Sequence, residues 1–589
     1  MLLSIFKKRR SFLLLFTVLI AALAFRVTNL NLIEFKTDEA LNIFLTAQPI
    51  FGHHFISGGT VSSLGILNPP IFNYTLFPIA LISMDPRFIS LFIALANISA
   101  IIGFFLLIKK YYSPVTAIIA SLLMSFSPWA ILYSRKIWMQ DLLMPFAILM
   151  LYSVHKLVIE KKEKYLALYV FSSLILIQLH PVTLIFVLIT TAFLLKKKVK
   201  INLKYLLLGA LIGIIPFIPY VIFEIRNKCP DCYSLISSRN RLNTGYSLRA
   251  LLRPLQIIGI GDFRFVLGND TLTFAQKFPL IYKARSILYI EYLLLPLGLL
   301  VFIIKNKKLS FLGYTAILTT FAYFLLKIEP FMHYYIIILP LLFLFLASSF
   351  DYFISKKNVL LKFGALFLLF SIILSSIAFN SAFFSLIKSL GAIKGDYGST
   401  YASSYKQTQE NFEKYKKSTD YRERVLSSYI PISYMYGYMP LGKMLYGDVS
   451  AGEIPYLEKK LKEDPLDKIS QFKLFAFYTK LPETVQTIYL LRQKSLQIPQ
   501  YTPLYKDVLN HYMGGHFKKE YLSSRFSFFY PEHWISKEES DGTIILNGDG
   551  YEVLIKNLGQ NNMIINCNVV KNACNNNNIS EIKNSIRPL

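Results

Sequence analysis

The sequence predicts an α-helical polytopic membrane protein of about eleven transmembrane helices, followed by a C-terminal extracytoplasmic α+β domain. Three observations predict it. Of 589 residues, 54% are apolar and only 17% charged, and a mean hydropathy of +0.44 exceeds what a water-facing surface of this size tolerates, so apolar side chains must face lipid. Uncharged runs long enough for roughly 30 Å of hydrocarbon recur along the first two thirds of the chain. Short lysine clusters punctuate them, and after residue 380 the composition turns polar. The 63 Lys+Arg against 35 Asp+Glu give a formal charge of +28. A nucleic-acid partner is not expected, because such binders seldom carry so few charges in total.

The first span, residues 11–27, follows Lys7, Lys8, Arg9 and Arg10. It reads as a retained anchor, since no small-x-small cleavage site precedes a soluble domain. Ten further runs lie at 87–108, 113–133, 137–157, 165–180, 182–195, 203–223, 286–304, 309–326, 333–349 and 359–380. Clusters at Lys109–Lys110, Lys161–Lys164, Lys196–Lys200, Lys305–Lys308 and Lys356–Lys357 belong on the cytoplasmic side. With the N-terminus inside, eleven crossings place all of them there. Counting the apolar stretch 66–84 as a twelfth crossing would put them outside, and Pro69, Pro70 and Pro78 fit a broken or surface-lying helix instead. Three outer segments result: the loop 28–86, the loop 224–285 and the tail from 381. The chain thus divides into a membrane domain, 1–380, and a soluble domain, 381–589. In the tail, Thr543–Leu546 and Tyr551–Ile555 flank Asn547-Gly548-Asp549-Gly550, a hairpin signal.

The four cysteines form two close pairs, Cys229–Cys232 and Cys567–Cys574, both in outer segments where thiols oxidise, so two disulfides are expected. A metal reading of Cys229-Pro-Asp-Cys232 lacks a second ligand pair. A redox motif would need a βαβ setting. The high Ile, Lys, Asn, Phe and Tyr content suggests an AT-rich, bacterial genome and hence a plasma-membrane location.

Ionisable groups at a membrane boundary are functional candidates. The first loop opens with Glu34, Lys36, Asp38 and Glu39. A poorly solvated carboxylate there has the basicity to take a proton from a hydroxyl. Asp38 or Glu39 could instead cap the following helix, Ala40–Ala47. The order of motifs through 25–146 resembles the GT-C type integral-membrane glycosyltransferases, the broad family of dolichyl-phosphate-mannose protein mannosyltransferases and the lipid A aminoarabinose transferase. It comprises Thr37-Asp38-Glu39-Ala40, then Asn68-Pro69-Pro70-Ile71-Phe72-Asn73-Tyr74, then Pro86-Arg87-Phe88-Ile89-Ser90, then Ser127-Pro128-Trp129, Ser134-Arg135 and Asp141. Leu179-His180-Pro181 and the His333-Tyr334-Tyr335 start of a late span extend it.

The resemblance implies a GT-C-like fold and a polyprenyl-phosphate sugar donor. One sugar would pass by inverting single displacement to an extracytoplasmic acceptor. It implies Asp38 as base, with Glu39 and Asp141 positioning acceptor or base or binding a divalent metal. Arg87, Arg135, Asn68 and His333 would hold the donor phosphate, with Tyr74 and His180 in support. One departure is Asn68, where the aminoarabinose branch has a lysine. An amide offers phosphate a hydrogen bond but no charge. The second loop adds Arg226, Lys228, Arg239, Arg241, Arg249, Arg253 and Arg264, a local positive field or a headgroup-facing surface. The rival readings are a transporter or lipid flippase, which usually shows repeated halves and midplane charges, and a non-catalytic scaffold.

Overall fold

The computed structural model describes residues 2–406, apart from 52–54, 61, 63–65, 227–228, 230, 233–244 and 329, together with Lys459 and the strand-forming stretches between 518 and 588. By internal contacts the chain divides into Met1–Thr479 and Lys480–Leu589.

A helix stands at each of the eleven apolar runs. Six are long and apolar enough to cross a membrane: Pro86–Tyr111, Met139–Val158, Leu203–Arg226, Pro279–Lys305, Met332–Ile354 and Val359–Leu390. The other five runs hold the shorter apolar helices Leu13–Ala24, Pro114–Phe126, Tyr165–Leu179, Thr183–Lys196 and Phe311–Leu325. The chain is a multi-pass membrane protein. The proline-rich stretch forms a helix of only 10 residues, Ile71–Ala80. At 1.5 Å per residue it covers about 15 Å, half of the hydrocarbon.

Local chemistry sets the helix starts. Asp85 accepts from the Arg87 backbone N–H, with Pro86 in the first turn, and Ser113 does the same for Thr116 ahead of Pro114; a short polar cap followed by proline satisfies the first orphan donors. The helix Leu339–Ile354 is apolar all round and buried along Leu339–Phe350, so it forms the centre of the bundle. The helix Glu291–Lys305 approaches it so closely that a Cβ on Gly298 would lie 1.9 Å from the Phe345 carbonyl oxygen. Small residues let backbones meet in this way where no hydrophobic force separates helix from lipid.

The two ends of the bundle differ. At one end Lys110, Lys156 and Lys162 gather around Glu160 at 2.5–3.0 Å, and Lys200 pairs with Glu163 at 2.9 Å. The 26-residue helix Pro86–Tyr111 runs from there, about 39 Å, to the end that carries the first loop. Two arginines lock that end reciprocally. Buried Arg26 donates to the carbonyls of Ser125 (2.7 Å) and Met124 (3.2 Å), where the helix Pro114–Phe126 ends, while Arg135 donates to Phe25 (2.5 Å) and Asn29 (2.8 Å) just past the first helix. Each cation thus satisfies carbonyls that a helix C-terminus leaves orphaned and electronegative.

The compositional boundary at 381 falls inside the helix Val359–Leu390, which ends on Gly391 with φ +73°. The next residues return to the bundle end: Glu34 bridges Thr400, Phe35 N–H donates to Ser399 (3.0 Å) and Tyr401 N–H to Ile33 (2.9 Å). Asp396 N–H reaches the Phe265 carbonyl (3.0 Å), and Gly395 lies against Gly268 so closely that a Cβ on Gly268 would sit 2.6 Å from the Gly395 Cα. Polar composition marks exposure to water there, and does not mark the end of packing against the membrane unit.

In the second unit, Ile535–Glu538, Ile544–Gly548, Tyr551–Asn557 and Met563–Val569 form an antiparallel sheet in sequence order. The pairing Gly548↔Tyr551 joins the two strands that the hairpin signal separates, and Asp549 and Gly550 lie outside the described residues. Lys518–Leu522, Phe526–Pro531 and Arg587–Pro588 make a second sheet. Of the expected domain 381–589, the helical residues 381–390 and 401–406 belong to the first unit, and the described residues of the second unit are strands and their connections.

Candidate active site

The first-loop motif begins as extended chain at Glu34–Phe35 and turns into the helix Thr37–Phe51. Glu39, three residues past the cap position, folds back so that its Oε2 accepts the Lys36 backbone N–H at 3.0 Å. This is half of a capping box. Capping and chemistry had been alternatives for the acidic pair, and Glu39 takes the cap. Adjacent helix residues point about 100° apart. Glu39 is therefore fully buried while Asp38 is part-exposed, its side chain making no hydrogen bond or ion pair among the described residues.

The second motif lies where two predicted spans meet. The run 113–133 is helical only to Phe126, because Pro128 has no N–H to continue the ladder; Ser127 caps a new short helix, Pro128–Leu132. The run 137–157 begins as a 3-10 turn, Met139–Leu142, before the helix Leu143–Val158. The irregular chain between is buried, so neighbours must satisfy its backbone. Ser90 Oγ donates to the Arg135 carbonyl (2.6 Å), Asn97 to that of Asp141 (2.9 Å) and Asn42 to that of Ile137 (3.0 Å). Asp141 Oδ2 accepts the Lys136 N–H at 2.9 Å.

Lys136 is the centre of the site and was not among the residues singled out from the motifs. Its ammonium lies 2.9 Å from Glu34, 3.8 Å from Glu39 and 4.7 Å from the centroid of the Trp138 ring. Lys36 pairs with the other Glu34 oxygen at 2.6 Å and lies 3.8 Å from Asp396. Burial opposes charge on Lys136, but Glu34, Glu39 and Asp396 outweigh it and hold the amine well above its ordinary value. Burial, reinforced by Glu34 and opposed by Lys136, pushes the Glu39 carboxyl up to about 8. Lys136 sits closer to Glu34 than to Glu39, whose Oε1 makes no hydrogen bond, and Glu39 is left largely neutral near pH 7.

A testable consequence concerns pH. Between the ordinary carboxyl value of 4.5 and about 8 the folded chain keeps a Glu39 proton that the unfolded chain has released. Stability from this group is therefore full below about pH 4.5 and falls as pH rises to about 8, by at most about 1.4 kcal/mol per pH unit. Thermal unfolding of Glu39→Gln between pH 5 and 8 should show a flatter decline than wild type, and identical slopes would show that Glu39 does not titrate in this way.

The other predicted residues divide. From Lys136, ring contacts run through Trp138 to His333 (4.8 Å) and on to His180 (5.5 Å). Asn68 is turned to the Thr60 carbonyl (2.7 Å) and Tyr74 to the Ile56 carbonyl (2.6 Å), so both brace the first loop. Arg135 is spent on the two carbonyls at the first helix. Arg87 is clamped by Asp85 at 2.5–3.1 Å and lies over the Tyr401 ring. The structure thus brings Glu39 and Asp141 to Lys136, with Asp38 beside Glu39 and with His333 and His180 along one flank, and leaves Arg87, Arg135, Asn68 and Tyr74 engaged elsewhere. Lys136 directly follows the Ser134-Arg135 motif, but a lysine between two spans reads as an ordinary boundary cation.

Cys229 and Cys232 are joined by a disulfide, Cα to Cα 5.2 Å. Their small loop delivers buried Asp231, which accepts the Leu67 N–H (3.0 Å) and the Tyr220 hydroxyl (2.7 Å), pinning the chain just before Asn68. Cys567 lies on the strand Met563–Val569, and Cys574 lies outside the described residues. Of the second-loop cations, Arg226, Arg249 and Arg264 are exposed, Arg253 is buried against the Pro330 carbonyl and Asp262, and Lys228, Arg239 and Arg241 lie outside the described residues.

Among the described residues no three acidic, histidine or cysteine side chains converge as a metal site. The Lys136 ammonium already supplies a positive charge 3.8 Å from Glu39.

Residues 68–223 match the model of the dolichyl-phosphate-mannose-protein mannosyltransferase family, a stretch that holds Arg135, Lys136 and Asp141 but not Asp38. Among solved structures, ArnT from Cupriavidus metallidurans bound to undecaprenyl phosphate is 11% identical, covering 83% of this chain and 78% of that one, at a TM-score of 0.40. The oligosaccharyltransferase of Archaeoglobus fulgidus, in complex with zinc and sulfate, is 13% identical over 71% of this chain and 57% of that one, at a TM-score of 0.42. No curated protein matches the chain. With the ordered motifs of its first loops and the family match over 68–223, the chain resembles the GT-C type membrane glycosyltransferases of the dolichyl-phosphate-mannose-protein mannosyltransferase kind.

Proposed function

We propose that the protein is a membrane glycosyltransferase that moves a single sugar from a polyprenyl-phosphate carrier to a hydroxyl on an extracytoplasmic acceptor. The observation that carries this reading is the contrast among its three carboxylates: Glu39 and Asp141 are fully buried and hold the backbone, whereas Asp38 is part-exposed and unpartnered at the rim of the same charged cluster. A general base needs that access. In the step envisaged, the acceptor O–H gives its proton to the Asp38 carboxylate as the oxygen attacks the anomeric carbon from the face opposite the phosphate. The carbon–oxygen bond to phosphate breaks, and its electron pair leaves with polyprenyl phosphate, inverting the centre.

The flank through Trp138 to His333 supports a donor-side role for His333. Lys36, its side chain about one third exposed and two residues before Asp38, is the accessible cation beside the base. The lysine-rich end of the bundle supports a cytoplasmic N-terminus and with it a site on the outer side. The full-length protein in liposomes containing polyprenyl-phosphate sugars and acceptor extract should release polyprenyl phosphate, read by mass spectrometry. Solute movement without donor consumption would identify a transporter instead.

A further inference from the structure

We infer that a second site on the same end of the bundle binds a neutral carbohydrate, as the acceptor-side subsite of the transferase. It is a cleft of about 630 Å³ lined in part by Asn31, Asp85, Arg87, Tyr401 and Tyr405, within the roughly 300–1,000 Å³ of small-molecule pockets. Resting on the function proposed above, it names the chemistry of the acceptor.

Charge decides the ligand class. Asp85 accepts Arg87 Nε at 3.0 and 3.1 Å and Nη2 at 2.5 Å, besides the Arg87 backbone N–H at 2.8 Å. Arg87 Nη1 donates to Asn31 Oδ1 at 3.2 Å. Among the described lining residues the one cation, Arg87, is therefore neutralised by a carboxylate in the same wall, and a phosphate entering the cleft would face that carboxylate. What the wall still offers is mixed: guanidinium hydrogens beyond those used, carboxylate lone pairs and two phenol hydroxyls. A sugar, each hydroxyl both donor and acceptor, uses such a set. Tyr401 and Tyr405 add ring faces, centroids 5.8 Å apart and 33° from parallel, against which the C–H face of a pyranose can lie. The Arg87 guanidinium lies over one face of the Tyr401 ring, 5.4 Å from its centroid, so a sugar would use the faces that remain.

The cleft is joined to the proposed base by one short ladder. Tyr401 bonds Ile33 through its N–H and meets the Phe35 ring edge-on at 5.5 Å, while Glu34, between them, turns the other way to Lys136. Asp38 follows three residues after Phe35. A glycan seated on Tyr401 and Tyr405 can extend along this edge toward Asp38.

The experiment uses the full-length protein in detergent and three neutral probes, maltotriose, mannotriose and chitotriose, read by saturation-transfer difference NMR. At least one should receive saturation from the wild-type chain and equally from Asp38→Asn, so binding is read without turnover. Tyr405→Ala, at a side chain about half exposed, should weaken it five- to tenfold, and equimolar inorganic phosphate should leave it unchanged. No signal from all three probes, an unchanged signal in Tyr405→Ala, or displacement by phosphate would overturn the subsite. Binding by a wild-type chain that itself shows no transferase activity would overturn its acceptor role and the proposed function together. Transfer without glycan binding would overturn the subsite alone.

Discussion

Asp38→Asn is expected to lower the rate of sugar transfer by about 10²–10⁴-fold, the range for loss of a positioned general base. The amide keeps the size of the side chain and cannot accept the acceptor's proton. Because Asp38 makes no hydrogen bond or ion pair among the described residues and is part-exposed, the substitution should leave the melting temperature within about a degree, a surface change being worth within about 0.5 kcal/mol. The loss should appear in kcat at saturating donor, with donor KM little altered, since the base acts on the acceptor in the transition state. The measurement is steady-state release of polyprenyl phosphate in liposomes. Full activity in Asp38→Asn would remove the base assignment, and Glu39→Gln provides the contrast, since Glu39 is buried and engaged as a cap.

Lys136→Met is expected to cost about 3–5 kcal/mol of stability, the usual consequence of removing one partner from a buried charge group. That is a large share of the roughly 5–15 kcal/mol by which proteins are stable. Methionine keeps the apolar stem but leaves Glu34, 2% exposed, with Lys36 as its one remaining cation. The cost arises from the stranded carboxylate, so the double variant Lys136→Met with Glu34→Gln should recover much of it. Thermal or denaturant unfolding of both singles and the double, read as a cycle, gives the coupling. Additive losses would show that Lys136 and Glu34 do not act as a pair.

These two residues illustrate what was legible. Asp38 was legible because an acidic pair just after a span is a local pattern that survives without a structure. Which member of the pair faces inward was not, since adjacent helix residues differ by about 100° and only the packing of Thr37–Phe51 against the bundle selects the buried one. Lys136 was hidden for a different reason: its partners Glu34 and Glu39 lie about a hundred residues earlier, and Asp396 still farther away in the other direction. Arg87 and Arg135 show the converse. A guanidinium near a span end suggests phosphate from sequence, yet each has found a partner in the folded chain, Asp85 for one and two helix-end carbonyls for the other. The break at Ser127-Pro128 was visible as a dipeptide, but its use was not: the buried irregular stretch depends on Ser90, Asn97 and Asn42 from two other helices to satisfy its backbone.

The sequence by itself determined the membrane class, the eleven apolar helices and the half-length proline-rich helix, because lipid solvation acts on contiguous residues and leaves its record in composition and spacing. Only the tertiary structure decided that the first loop, the 127–142 break and the segment after the last helix converge at one end of the bundle, and which ionisable groups there are buried and paired. Charge pairing depends on distance in space and on local burial, and neither is recorded by order along the chain.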